Sequence, residues 1–267
     1  MASPDSDLEV HRARVDAFRA RRDTRYKSEE GWLTFVDRIG LETGENRLPI
    51  GVLVVAPDGQ VRLRPAEGVI RSGQPVAGEV AVQVEDRGVA PDRFELAGRR
   101  YEITARGAGG GLNVRVRDPH APARLAFRGI PAYPFESSWR IEADCELVDP
   151  PVPDVVPRSD GSDAEAPWVA LARFTVGGAA QSVRLYADES LTRWFMPFSD
   201  PTNGEETYGA GRLLDPDIPR PGDPVVLDFN LAYNLPCAFN QLVACPLPSR
   251  HNRLTVPVRA GEQNPLP

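Results

Sequence analysis

The amino-acid sequence predicts a mostly β protein, a β-rich α+β fold. N-terminal helices would pack on an antiparallel β-sandwich or a partly closed barrel. Three observations carry this expectation. From residue 48 onward, apolar and polar residues alternate in short runs, the period of strands with one buried face. Proline and glycine are abundant, at 27 and 23 of 267 residues, and they punctuate short strands more readily than long helices. Helical spacing is confined to the beginning of the chain.

At that beginning, Asp5 or Ser6 can cap a helix, and Leu8, His11, Val15 and Phe18 recur on one face of it. The pattern fades near Thr24. A second, shorter helix is expected over residues 31–40, with Trp32, Leu33, Phe35, Val36 and Ile39 as its apolar side and residues 43–46 as the closing loop. Strands follow. Residues 50–55 form an apolar run, Pro57-Asp58-Gly59 reads as a turn, and Val61, Leu63 and Val69 resume the alternation. Val80, Val82 and Val84, then Phe94 and Leu96, then Tyr101 and Ile103 mark further strands. Residues 107–111 are a glycine-rich loop. Leu112, Val114 and Val116 continue, and Trp139, Ile141, Ala143 and Cys145 alternate into Leu147. Residues 150–167 are rich in Pro, Asp and Ser and read as an exposed linker or mobile loop. Strands are expected again at 169–176, 182–186, 193–198, 225–229 and 254–258.

A weak internal repeat recurs at about 80 residues. Arg93-Phe94-x-Leu96-x-Gly98 matches Arg173-Phe174-x-Val176-x-Gly178, and Leu112, Val114, Val116 and Asp118-Pro119 match Trp194, Met196, Phe198 and Asp200-Pro201. A duplication would put Asp118 and Asp200 at equivalent strand ends; any two three-strand meanders would also look alike. The expected organisation is one domain with a helical segment (1–47), a first meander (48–149), the loop (150–167) and a second, motif-bearing meander (168–267).

Composition narrows the function. Hydrophobic residues at 41% and charged residues at 26% are ordinary for a globular chain and allow a substantial core. The net charge of −7 and the absence of a concentrated basic face argue against nucleic acid. The basic stretch at 12–27 is interleaved with acids and apolar residues, as on a solvated helix face. No apolar run reaches the roughly 18 residues of a membrane span. The start is polar and acidic, unlike a secretory leader, so a cytoplasmic address is expected. Three cysteines do not make a disulfide framework.

Several segments resemble a known family. They are residues 198–212 (Phe-Ser-Asp-Pro-Thr-Asn-Gly-Glu-Glu-Thr-Tyr-Gly-Ala-Gly-Arg), residues 227–234 (Leu-Asp-Phe-Asn-Leu-Ala-Tyr-Asn) followed by Cys237, Cys245-Pro246-Leu247-Pro248, and residues 252–262. Gly31-Trp32-Leu33 and residues 41–46 add to these. Together they resemble the uncharacterised family known as domain of unknown function 1684, over nearly the whole chain. Three positions depart from its pattern: Ala210 in place of glycine, Leu235 in place of proline, and His251 in place of an acidic residue. The resemblance implies no established activity.

The polar motifs suggest chemistry of their own. The Asn203-Gly204 turn would bring Asp200 and Glu206 together, and close carboxylates push their pKa values apart into acid and base roles. Tyr208 can donate or relay a proton, and Arg212 offers a planar fork for a carboxylate or phosphate. Asp228, Asn230, Tyr233 and Asn234 could grip a polar ligand. Each also has a structural alternative: Asp200 as a turn stabiliser, Glu206 with Arg212 as an ion pair, Tyr208 as a core residue, and Asp228 and Asn230 as Asx stitches. Cys237, Cys245 and His251 are weak metal candidates, because seven residues between the cysteines is not a close zinc pairing. No cofactor is indicated, and nothing specifies an oligomeric state. Three functions fit these residues: an enzyme using carboxylate acid–base chemistry on an anionic small molecule, a non-catalytic small-molecule-binding module, and a structural or partner-binding protein.

Overall fold

The computed structural model describes residues 4–85, 89–105 and 111–265. The expected glycine loop at 107–111 falls almost entirely outside them. The first element is α1, Pro4–Lys27. After Pro4 it contains no glycine or proline, and alanine and arginine, both strong helix formers, recur along it. Pro4 is tolerated because its missing N–H falls in the first turn. The expected caps, Asp5 and Ser6, therefore lie inside the helix. Of the expected apolar face, Val15 is fully buried, His11 and Phe18 are half-buried, and Leu8 is exposed. No helix of the described residues is long and apolar enough to cross a membrane.

The chain divides into two compact units. One is Tyr26–Phe127; the other combines the chain up to Arg25 with Arg128 onward. This differs from the expected single domain with borders at 47, 149 and 167, because the division follows separate hydrophobic cores rather than shifts in composition.

In the unit Tyr26–Phe127 the strands are β1 (Phe35–Leu41), β2 (Gly44–Leu48), β3 (Gly51–Val55), β4 (Val61–Pro65), β5 (Ile70–Arg71), β6 (Gln74–Pro75), β7 (Val80–Val82), β8 (Arg93–Leu96), β9 (Arg99–Ala105) and β10 (Leu112–Arg117). They form a sheet ordered β1-β10-β9-β8-β5-β6 and a second ordered β2-β3-β4-β7. Both sheets send alternate residues into one core that includes Leu53, Leu63, Phe94, Ile103 and Val114. The helix expected at 31–40 is instead a 3-10 turn, Trp32–Thr34, running into β1. Val36 and Ile39 are β-branched and suit a strand, and β10 supplies an antiparallel partner. The loop expected at 43–46 is mostly β2. The Pro57-Asp58-Gly59 turn is present, closed by Ala56 N–H to Gln60 O at 2.8 Å.

In the other unit the strands are β11 (Arg140–Val152), β12 (Val155–Pro157), β13 (Asp163–Glu165), β14 (Trp168–Val176), β15 (Ala179–Ala187), β16 (Trp194–Phe198), β17 (Arg212–Leu214) and β18 (Val225–Asp228). The main sheet is ordered β17-β16-β15-β14-β11-β18. Its core gathers Ala172, Val183, Leu185, Met196, Phe198, Leu227 and Phe229. Within residues 150–167, expected as an open loop, β12 and β13 pair as a hairpin, and Val156 and Ala166 are buried with Tyr186. Composition hid this because the two buried apolar positions sit among prolines and acids.

The strand expected at 254–258 does not form. Side chains occupy its backbone groups: Thr255 N–H donates to Gln181 Oε1 and Val258 N–H to Asp200 Oδ1, and Arg212 donates to Val258 O. The repeat has a structural counterpart. β8-β9-β10 and β14-β15-β16 are both antiparallel meanders. Asp118 accepts the N–H of His120 at 2.8 Å, and Asp200 accepts that of Thr202 at 2.9 Å, the same two-residue turn at each strand end.

Candidate functional site

Residues 200–212 fold into a closed polar knot. The Asn203-Gly204 turn forms, with Gly204 at φ +87° and Gly204 N–H on Thr207 O. Asp200 Oδ1 accepts from the backbone and hydroxyl of Thr202 and from Val258 N–H, and its Oδ2 accepts from Arg212 Nη2 at 2.8 Å. Thr202 and Thr207 share a hydroxyl contact at 2.8 Å, and the Asn203 amide donates to Thr207 and to Tyr208 O. Arg212 has no solvent exposure. It also donates to the carbonyls of Val258, Ala260 and Glu262, and it lies 5.2 Å from the Phe198 ring centre. Burial lowers its pKa, and Asp200 opposes the shift. The two terminal nitrogens of the fork expected to clamp an anion are thus taken by protein acceptors, while the buried Nε has no partner among the described residues.

Gly211, at φ +90°, permits a close approach, and the protein itself makes it. A Cβ there would lie 2.5 Å from Pro248 Cγ and 2.6 Å from Phe198 O.

The expected Asp200–Glu206 pair is not made. Glu206 turns to a partly exposed position, where Arg259 binds it through Nε and Nη2 and the Tyr133 hydroxyl donates to it at 2.9 Å. Arg259 first, then Tyr133, holds its carboxyl below the usual range. Arg212 pairs with Asp200, not with Glu206. Tyr208 donates to Cys237 O at 3.3 Å; burial first, then Cys237, pushes its hydroxyl up to about 12, which does not suit a proton relay near neutral pH.

Tyr233 and Asn234 belong to another network. The Tyr233 hydroxyl donates to Asp215 at 3.0 Å, and Arg22 of α1 stacks on its ring with 4.5 Å to the centroid. Asn234 N–H donates to the buried carboxylate of Glu262, which Arg22 also binds, and Asn234 O accepts from Arg22 at 2.8 Å. Arg22, Glu262 and Tyr133 were not singled out in the sequence. The metal candidates do not gather, since His251 lies exposed beside Arg250. The described residues hold no group of three or more His, Cys, Asp or Glu side chains able to bind a metal.

Asp228 is different. It ends β18 and caps the 3-10 turn Phe229–Leu231, accepting from Asn230 N–H at 3.2 Å and from the Asn230 amide at 3.0 Å on Oδ1. The Asn230 amide also exchanges hydrogen bonds with the backbone of Glu136. The expected Asx stitch is present and fixes the carboxylate. Its second oxygen, Oδ2, lies 2.6 Å from Nε2 of His11 on α1. The two side chains are 12% and 8% exposed. Phe135 meets the His11 ring edge-on at 4.8 Å.

This pair borders open space. Asp228 lines a cavity of about 140 Å³ with Arg14, Arg140, Asp215 and Asp217. His11 lines a cavity of about 570 Å³ with Asp7, Leu8, Ser137 and the same two arginines. Arg14 is paired with Asp217 at 3.1 Å. Arg140 stands opposite Asp228 in the β11–β18 ladder, so the two side chains share a face. Among the described residues Arg140 makes no side-chain hydrogen bond or ion pair. A carboxylate-oriented imidazole beside an unengaged guanidinium can move a proton next to a bound anion.

A family model described as "Protein of unknown function (DUF1684)" matches residues 125–263. Among solved structures, the chain is similar to the solution NMR structure of an uncharacterized protein from Haloarcula marismortui, at 33% identity over 56% of this chain and 84% of that one, with a TM-score of 0.46. No curated protein matches.

Proposed function

The chain belongs to the DUF1684 family of proteins of unknown function, and from that premise we propose that it is an enzyme performing acid–base chemistry on an anionic small molecule at His11 and Asp228. The observation that carries this reading is the 2.6 Å contact between His11 Nε2 and an Asp228 carboxylate already fixed by Asn230. With Nε2–H donated to Asp228, Nδ1 is left as the acceptor of the ring, the arrangement of a positioned general base. Asp228 would orient the ring. Arg140 would hold the anionic group of the substrate, with Arg14 as a second cation. The anionic substrate expected from the sequence is kept, while the acid–base role moves from Asp200, Glu206 and Tyr208 to His11.

With only three histidines in the chain, imidazole NMR reads the site directly. Phosphate monoesters and small carboxylates, screened as a panel, should include members that shift the His11 signals and raise the melting temperature. Arg140→Ala should weaken that binding at least about tenfold without changing the melting temperature of the free protein, as loss of a charge-assisted contact requires. His11→Gln should keep binding and lose turnover of the bound compound. If no anion perturbs His11 and His11→Gln only lowers stability, the pair serves to dock α1 and the proposal fails.

A further inference from the structure

Away from that site, Cys237 and Cys245 are held against each other. The Cys237 N–H donates to Cys245 Sγ at 3.3 Å, and both side chains are buried in a small cluster with Leu213 and Leu235. Both are free thiols. Their surroundings fix them. Ser159 Oγ accepts the N–H of Cys245 at 3.0 Å, Ser159 N–H donates to Cys245 O, and the Tyr208 hydroxyl donates to Cys237 O. The hairpin of β12 and β13 adds two more ties to this loop, Arg158 to Ala244 O at 2.9 Å and Leu247 N–H to Pro157 O at 2.7 Å.

We propose that Cys237 and Cys245 are a hydroperoxide-reactive dithiol that closes reversibly into an intramolecular disulfide. The thiolate attacks the peroxide O–O bond, forming an S–OH on Cys237 and releasing hydroxide, or alkoxide from an organic hydroperoxide. The Cys245 sulfur then attacks the Cys237 sulfur, the S–O bond breaks, and the thiol proton leaves with the hydroxyl as water. The two thiols lose two electrons and the peroxide gains them. A small dithiol reductant returns the pair to its starting state.

Electrostatics favours the same pair. The hydrogen bond from Cys245 holds the Cys237 thiol below the ordinary range, against its burial, with Ser159 and Tyr208 adding to the effect. The Cys245 thiol is correspondingly raised. Cys145, on β11, is the more exposed cysteine, but burial alone raises its thiol. Accessibility and thiolate character therefore predict opposite orders of reaction.

The test uses the whole reduced protein and a small excess of hydrogen peroxide, followed by alkylation and peptide mapping. The expected result is a loss of two hydrogens in intact mass, a linked 237–245 peptide, Cys145 still alkylated, and full reversal by dithiothreitol. The pair should react at least about tenfold faster than Cys145, the margin that thiolate availability commonly gives. Cys145→Ser should leave this unchanged, and Cys237→Ser should abolish the mass loss. Reaction at Cys145 first, or sulfinic acids at 237 and 245 with no link between them, would overturn the proposal. The wild type and Cys145→Ser decide the matter even if Cys237→Ser does not fold.

Discussion

Arg212 leads the fully buried side chains in size, and its charge has Asp200 as its carboxylate partner. A guanidinium withdrawn from water is tolerable only while its counter-charge and acceptors stay in place. Asp200→Ala removes the counter-charge and should cost about 3–5 kcal/mol, the usual penalty for stranding one partner of a buried pair. Urea unfolding measures it, and a loss under about 1 kcal/mol, the range of an exposed pair, would mean that the knot is not what holds residues 254–262. The motif was legible in the sequence, but its purpose was not, since density of polar residues is shared by active sites and by buried networks. Asp228 and Asn230 were legible as a pair at a strand end. His11 was not legible as their partner, because 217 residues separate it from Asp228 and no local spacing encodes that contact. Arg140 becomes visible only once the register sets it opposite Asp228.

Strands whose apolar residues alternate are legible in the sequence, as β4, β9, β10 and β15 are, although in β9 and β10 the polar face is buried as well. Reading failed where tertiary partners decided the outcome. Residues 35–41 became a strand because β10 was there to pair, and residues 254–258 lost their strand to side-chain donors and acceptors. The helix α1 shows the same limit. Its apolar stripe is visible in the sequence, but its docking also uses polar contacts that the stripe does not show: His11 with Asp228, Arg19 to Tyr133 O, and the Arg22–Glu262 ion pair. Burial raises the Glu262 carboxyl above its usual range, and Arg22 pulls it back. Arg22→Met removes that pull, so the folded state should keep the Glu262 proton to higher pH than the unfolded chain does. A carboxyl raised in this way favours the fold below its unfolded pKa, and the contribution is lost as pH rises through the folded value. The variant should therefore come closest to wild type near pH 4–5, around the ordinary glutamate value. At pH 8 it should trail by about 3–5 kcal/mol. Melting curves at the two pH values check this; a deficit that does not change with pH would assign the cost to lost packing instead.

At the scale of the molecule, the connectivity is an insertion. The unit Tyr26–Phe127 interrupts the other, whose two chain segments meet again at the break: Ile130 N–H donates to Asp23 Oδ1 at 2.9 Å, and Asp23 lies beside Gly129. The inserted unit also closes on itself, with the Tyr26 and Phe127 rings 6.4 Å apart and Arg124 bound to Lys27 O at 2.8 Å. Adjacent ends and a separate core are what an independently folding insertion requires. The matched family region, 125–263, begins near the Phe127–Arg128 border; the other border, Arg25–Tyr26, falls inside α1, so composition did not mark it. Replacing residues 26–127 by a short glycine–serine linker should leave a chain that unfolds in one cooperative step. The His11 imidazole signals should stay at their wild-type positions, since Asp228 and Phe135, which touch that ring, belong to the retained unit. The excised segment alone should show a single transition of its own. Loss of cooperativity in either piece, or His11 signals at random-coil positions in the shortened chain, would mean that the two cores depend on each other for folding and that the site is not built by one unit.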